Sequence, residues 1–498
     1  MGSREIAETL FLPERTPSET QTNIRRISLK SADGSNDGDE GQGAPFYSRE
    51  AARVVLDPGT YRSGTEPEPY HRWEPIRSTT PAAHIWNQNL DSAMRYLTCE
   101  KGIPWTVLHL GLLDKKVTVV ILYDKGAVWD QRATERELRE LYFPQETFTD
   151  IIFAHSKVNK GAALEGSEYG GTQSCGAGIG VKGVSWSAGT VGGYFESETG
   201  EIYGLSCHHV LLPTKGPLRE PPNLNNDEAS ARKGYPEYLD TIGVYHSAFE
   251  QRDGAIEVVQ PPCGDHIDTI LELQALKKEA EKGLEALTAK YNVLNIQAPK
   301  GKFDNWQATI EESCKRLAEI EKYDRTFGVV VASSGYKIDP MTKHSIDWAL
   351  FRISENRTVW NMIPGVDAEK RRGSWNGLST SQRVCNGIAD PVEDESVFKI
   401  GRKTGPTFGI ISGVRDGVNL KENLGKTKEW CVVGRNGTEF AAAGDSGSLV
   451  FNEKFQVVGI LTAGCDNQGR LTYITPIKLV LADIEKATGE KLEFYDGL

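Results

Sequence analysis

Gly444-Asp445-Ser446-Gly447-Ser448 is the stretch on which the reading of this chain turns. It sets a hydroxyl between glycines, where the backbone can make a tight turn that larger side chains would obstruct. In such a turn the N–H groups of Gly444 and Ser446 can point at one place, the arrangement an oxyanion needs beside an oxygen nucleophile. Two apolar runs follow, Leu449-Val450-Phe451 and Val457-Val458-Gly459-Ile460-Leu461, separated by Asn452-Glu453-Lys454. They read as buried strands bounding a short turn.

Working outward, the chain from Ser187 onward is mostly short strands separated by Gly, Asn and Asp turns, the pattern of an all-β barrel unit. One segment breaks it. Leu273, Leu276, Ala280, Leu284, Leu287, Tyr291 and Leu294 recur at helical spacing, and beyond Pro299-Lys300-Gly301 so do Trp306, Ile310, Leu317 and Ile320. This predicts an antiparallel helical hairpin over 266–325, inserted between strands, with docking to a protein partner or self-association as its expected role. Upstream, residues 1–75 are expected to be disordered, because Ser31 to Gly43 hold almost no apolar side chain. Residues 81–160 read as a small α+β domain with a pro- or regulatory role. Its parts are an amphipathic helix from Ala82 to Glu100, strands Trp105 to Leu112 and Val117 to Tyr123, a helix from Thr134 to Leu141, and a strand from Ile151 to Ala154. The Gly/Ser-rich stretch 161–186 reads as a linker.

Composition narrows the classes. A formal net charge of −12 argues against a nucleic-acid-coating surface or a polybasic membrane anchor. No window approaches the roughly 18–20 apolar residues needed to span a bilayer. Residues 1–15 carry Glu5, Glu8 and Glu14 and only the short apolar run Leu10-Phe11-Leu12, so a signal peptide is not expected. The 8 cysteines form no CxxC pair, which points away from a metal site and toward reduced thiols in the cytoplasm or nucleus.

The Gly-Asp-Ser-Gly-Ser run and its two strands, the second ending in Thr462-Ala463-Gly464, resemble the trypsin/chymotrypsin superfamily of serine peptidases. Val397 to Gly405, with Gly401-Arg402-Lys403-Thr404-Gly405, is similar to the Gly-Arg-Thr-Thr-Gly run of its bacterial members. The overall arrangement looks like the subgroup with a small N-terminal α+β domain, the NARROW LEAF 1 type and related bacterial and fungal peptidases. The resemblance covers roughly 187–260 and 326–485, covers the N-terminal domain only in outline, and leaves out the helical hairpin. It implies a mainly β fold, two six-stranded antiparallel β-barrels over 187–485. It also implies a polypeptide substrate, hydrolysis through an acyl-enzyme on Ser446, and no cofactor or metal. An inactive scaffold that works through its N-terminal domain and helical hairpin is the alternative.

The base must be a histidine that shares a proton with Ser446. Ile202-Tyr203-Gly204-Leu205-Ser206-Cys207-His208-His209 is a strand running into a polar turn. Aligned on Ser206 with the family's strand-Ser-Ala-Ala-His, the catalytic position is His209, and His208 is expected at the surface or behind the site. The family order His, Asp, Ser leaves two acids, each at the entry of an apolar strand: Asp347 before Trp348-Ala349-Leu350-Phe351, and Asp253 before Gly254-Ala255-Ile256. Asp347 leaves one barrel's length of chain before Ser446 and is preferred, with Asp253 the rival. In trypsins an Asp stands six residues before the nucleophile; here Phe440 does, so Arg/Lys specificity is not expected. Thr462, Ala463 and Gly464 would be the edge on which a substrate pairs as an added strand. No Ile-Val-Gly-Gly start precedes residue 187, so activation by a freed N-terminal amine is not expected.

Overall fold

The computed structural model of the protein describes residues 73–123, 129–155, 158–159, 169, 173–213, 255–294, 300–363, 383–421, 425–465 and 471–495. Asp253 and the expectation for residues 1–72 lie outside them. The architecture is mainly β, built on two large sheets that are antiparallel except for one pair of strands. In one, Ser396–Gly401, Leu449–Asn452, Val457–Cys465, Leu471–Pro476, Gly425–Gly434 and Gly405–Lys421 pair in that order. Ser396–Gly401 pairs back onto Gly405–Lys421, which closes a six-stranded barrel. The other sheet, a half-barrel, runs Leu492–Phe494, Gly193–Ser197, Ile202–Ser206, Ala349–Ile353, Thr326–Ser333, Glu257–Val259, Gly178–Val181, Gly189–Thr190. One apolar cluster runs through both: Tyr194, Phe195, Phe327 and Phe351 from the half-barrel meet Phe398, Leu449 and Ile460 from the barrel.

Pro81–Arg95 is a helix because Pro81 opens it and the Thr80 hydroxyl accepts from Ala83 N–H at 3.2 Å. Ala83, Trp86, Leu90 and Ala93 form its buried face. Strands Trp105–Leu113 and Lys116–Tyr123 are joined through Asp114 and Lys115, both at positive φ, the backbone of a tight hairpin turn. Asp150–His155 pairs parallel to Lys116–Tyr123, and Gln131–Leu141 supplies the crossover helix that a parallel pair requires.

Three boundaries differ from the sequence reading. Trp73–Pro75, inside the stretch expected to be disordered, is a strand paired with Trp105–Leu113. Residues 173–186 are not a loose linker, since Gly178–Val181 is a strand paired with Glu257–Val259. The α+β unit is also not set apart: Leu108 and Val107 pair with Gly417 and Val418, so its strands extend the barrel sheet. Trp86 marks the seam. Its ring is fully buried against Phe143, and its Nε1–H donates to the Arg415 carbonyl at 2.8 Å. Truncating Trp86 to alanine should lower stability by about 3–5 kcal/mol in urea denaturation, through the cavity and the orphaned carbonyl.

The inserted arm consists of Cys263–Leu294 and Lys300–Lys322. Gly283 lets the helices close, since a Cβ there would sit 2.8 Å from the Trp306 ring. Ala280 and Ile320 are buried. Leu276, one of the apolar residues at helical spacing, is 47 % exposed, in company with Ile267 and Leu271.

Candidate active site

Strand register brings the histidine and the acid together. Ala349 pairs with Ser206 in the antiparallel half-barrel, so the residues just before Ala349 lie beside those just after Ser206. The one-turn helix His208–Leu211 begins there. His209 Nδ1 stands 2.8 Å from Asp347 Oδ2, and the His209 backbone N–H donates to Asp347 Oδ1 at 3.1 Å. Asp347 is buried and both its oxygens are directed at one residue. That fixes the imidazole's orientation and its tautomer, with Nδ1 protonated toward the carboxylate.

The Gly444–Ser448 turn docks on the same end of the half-barrel. Thr190 N–H donates to the Ser446 carbonyl at 2.9 Å, and the Thr190 hydroxyl donates to the Gly444 carbonyl at 3.0 Å. Ser206 Oγ donates to the Thr190 carbonyl at 2.8 Å, tying this contact to the strand that leads into His209. Gly189 is required here: a Cβ would fall 2.5 Å from Val210 and 3.0 Å from the Ser446 carbonyl. Gly444 and Gly447 have φ of +105° and +95°, which side chains rarely adopt. Among the described residues the N–H groups of Gly444 and Ser446 donate to no acceptor, whereas Asp445 N–H and Gly447 N–H bond Ala442 and Leu461. Two free donors at a sharp turn are what an oxyanion site requires.

The other predicted residues divide. His208 is fully buried, its Nδ1 2.5 Å from Ser333 Oγ and its ring edge-on to Tyr336, so a surface position is excluded. Phe440 is also fully buried, packed with Ile411, Val432, Val450 and Val458, so it presents no exposed surface. Thr462 and Ala463 are buried within Val457–Cys465. Gly464 pairs with Asn159 and Cys465 with Val158 of the short strand Val158–Asn159, so the far end of that edge already carries an antiparallel strand of the chain itself. Of the remaining histidines, His109 is buried on Asp416 and His344 on Glu429. His266 bonds Tyr169, with burial and then the nearby Arg325 lowering its pKa to about 4.

The sequence reading missed the setting of Asp445. This carboxylate is fully buried and accepts Lys399 Nζ at 2.9 Å, Thr404 Oγ1 at 2.6 Å, and the N–H groups of Lys403 and Ala442 at 2.8 and 3.0 Å. Burial works to raise its pKa, but the Lys399 ammonium and the Thr404 and backbone donors outweigh it and hold the carboxyl below its usual range. Burial lowers Lys399 against the pull of Asp445. A lysine inside the apolar strand Ser396–Gly401 was the available signal, because an unpaired charge does not stay in such a run.

No protein-family model matches the sequence, and no curated protein matches it. Solved structures do. Protease A of Thermobifida fusca is similar at 11 % identity over 65 % of this chain and 100 % of its own, with a TM-score of 0.32. A Nocardiopsis protease is similar at 12 % identity over 65 % and 100 %, with a TM-score of 0.30. A glutamic acid specific serine protease is similar at 12 % identity over 64 % and 99 %, with a TM-score of 0.31. These neighbours are serine proteases of the trypsin/chymotrypsin type.

Proposed function

We propose that this chain is a serine endopeptidase in which Ser446 is the nucleophile, His209 the general base and Asp347 the orienting acid. The observation that carries the reading is the two-point hold of Asp347 on His209, at the end of the half-barrel on which the Ser446 turn docks. In this mechanism Ser446 Oγ attacks the substrate carbonyl carbon while His209 Nε2 takes its proton. The negative oxygen of the tetrahedral intermediate is held by Gly444 and Ser446 N–H. The imidazolium then gives its proton to the leaving amine, and the C–N bond breaks to leave the acyl-enzyme. Water, deprotonated by His209, repeats the sequence and releases the acid. Asp347 keeps the imidazole in the productive tautomer and stabilises its cation. The buried aromatic ring of Phe440, where a trypsin carries its acid, supports a substrate side chain other than Arg or Lys. Exposed thiols at Cys99 and Cys314 support work in a reducing compartment, cytoplasm or nucleus. Reaction of the full-length chain with a fluorophosphonate, followed by mass mapping of the adduct, tests the reading: the label belongs on Ser446, and a folded chain that takes none contradicts it.

The α+β unit is read as regulatory. An added substrate strand needs the free backbone groups of Thr462 to Gly464. Val158–Asn159 already pairs at Gly464 and Cys465, which supports a pro-segment role for the chain leading out of that unit. Replacing Val158 and Asn159 by two prolines, which cannot donate to the edge, should raise kcat/KM on a peptide substrate roughly tenfold, mainly through KM. An unchanged kcat/KM would show that substrate and the internal strand do not compete.

A further inference from the structure

The turn Gly401-Arg402-Lys403-Thr404-Gly405 is attached to two buried carboxylates that lie in opposite directions. Toward the nucleophile, Lys403 N–H and Thr404 N–H donate to Asp445 Oδ1 at 2.8 and 3.2 Å. Gly401 lies so close that a Cβ would fall 2.4 Å from Asp445 Oδ1. The Arg402 backbone N–H donates to Thr190 Oγ1 at 3.1 Å, and the same hydroxyl donates to the Gly444 carbonyl. Two routes therefore run from this turn to the residues that bear the oxyanion donors, one through Asp445 and one through Thr190.

In the other direction the Arg402 side chain meets the helical arm. Arg402 Nε donates to Asp265 Oδ2 at 2.6 Å, and Nη2 bonds Asp265 Oδ1, a two-pronged pair with both side chains out of solvent. Asp265 stands in the first turn of Cys263–Leu294, at the root of the arm. Gly178 seals the pair from one side, since a Cβ there would sit 2.8 Å from Arg402 Cδ. A buried guanidinium has to find its carboxylate, and its position follows that carboxylate. The arm is thus joined to the catalytic end of the molecule by a charge pair whose other end is the turn that grips Asp445.

We propose that Asp265, at the root of the inserted helical arm, is a positioning residue for the hydrolytic reaction: through Arg402 it holds the Gly401–Gly405 turn, and that turn sets Asp445, Gly444 and the oxyanion donors. The proposal rests on the peptidase reading above. It gives the insertion a part in turnover, and a partner that shifts the arm's root would change kcat.

The test uses the full-length chain with Asp265→Asn, Arg402→Lys and the double variant D265N/R402K. Folding is followed by circular dichroism and thermal melting, labelling of Ser446 by a fluorophosphonate, and kcat and KM on one peptide substrate. The expected result for D265N is a kcat lower by about 10- to 100-fold, less than the roughly 10²- to 10³-fold cost of removing one oxyanion donor outright, with KM within about threefold and labelling slowed in step. R402K keeps the charge but loses the fork and should fall by a similar factor. The double variant should be no worse than either single one, because both remove the same link. Folded D265N or R402K with wild-type kcat overturns the proposal, as does a loss confined to KM. If D265N does not fold, R402K decides. A wild-type chain that is neither labelled nor active overturns the peptidase reading and this proposal with it. A labelled, active wild type alongside an equally fast D265N overturns this proposal alone.

Discussion

Ser446→Ala should reduce peptide hydrolysis by a factor on the order of 10⁴ to 10⁶ and remove fluorophosphonate labelling, while leaving the melting temperature nearly unchanged. The size follows from the chemistry: without the Oγ no acyl-enzyme forms, and only the oxyanion donors and substrate binding remain. The small effect on stability follows from the structure. The contacts that fix this residue run through its backbone, with Thr190 N–H on the Ser446 carbonyl at 2.9 Å, and alanine keeps them. A matched assay of peptide turnover and thermal unfolding checks both halves. The same variant separates the peptidase from a scaffold acting through its N-terminal unit and arm, because a scaffold would keep its cellular role with alanine at 446.

Asp347→Asn should lower kcat by about 10⁴ at neutral pH with the fold retained. Asn is nearly isosteric and can still accept the His209 backbone N–H that Asp347 Oδ1 now accepts at 3.1 Å. What fails is the side-chain bond at 2.8 Å: an amide N–H₂ facing Nδ1 favours the tautomer with the proton on Nε2, where the base must be empty. The imidazolium formed during attack also loses its countercharge. Steady-state kinetics on D347N beside D253N decide between the two acids. A chain that tolerates D347N and is silenced by D253N would reverse the assignment.

The parts of the site legible in the sequence are those whose chemistry is contiguous. Five contiguous residues around Ser446 carry its proposed role. A strand running into a polar turn marks His209, and an acid at a strand entry marks Asp347. What could not be read is pairing between distant positions. Asp445 was visible inside the motif, but that Lys399 and Thr404 face it depends on how two strands align, and Asp265 on Arg402 joins an insertion to a barrel turn. For His208 the surface alternative fell away, because alignment on a neighbouring serine gives no measure of burial. In the fold, helices and hairpins followed local periodicity and turn chemistry, as at Asp114 and Lys115. The union of the α+β unit with the barrel rests on register at Gly417 and Val418, and alternation within a strand does not specify its partner.

That union has a consequence for how the molecule is made. Trp86 and the carbonyl it bonds on Arg415 are 329 residues apart. At roughly 5–20 residues per second, a ribosome needs about 15–65 s to span that distance. Through that interval Trp105–Leu113 has been synthesised but its barrel partner has not, so one edge of an apolar hairpin waits open. The half-barrel is in the same position, since Gly193–Ser197 pairs with the distant strand Leu492–Phe494. Each sheet therefore waits for a strand made some hundreds of residues later, and its unpaired edge is exposed in the meantime.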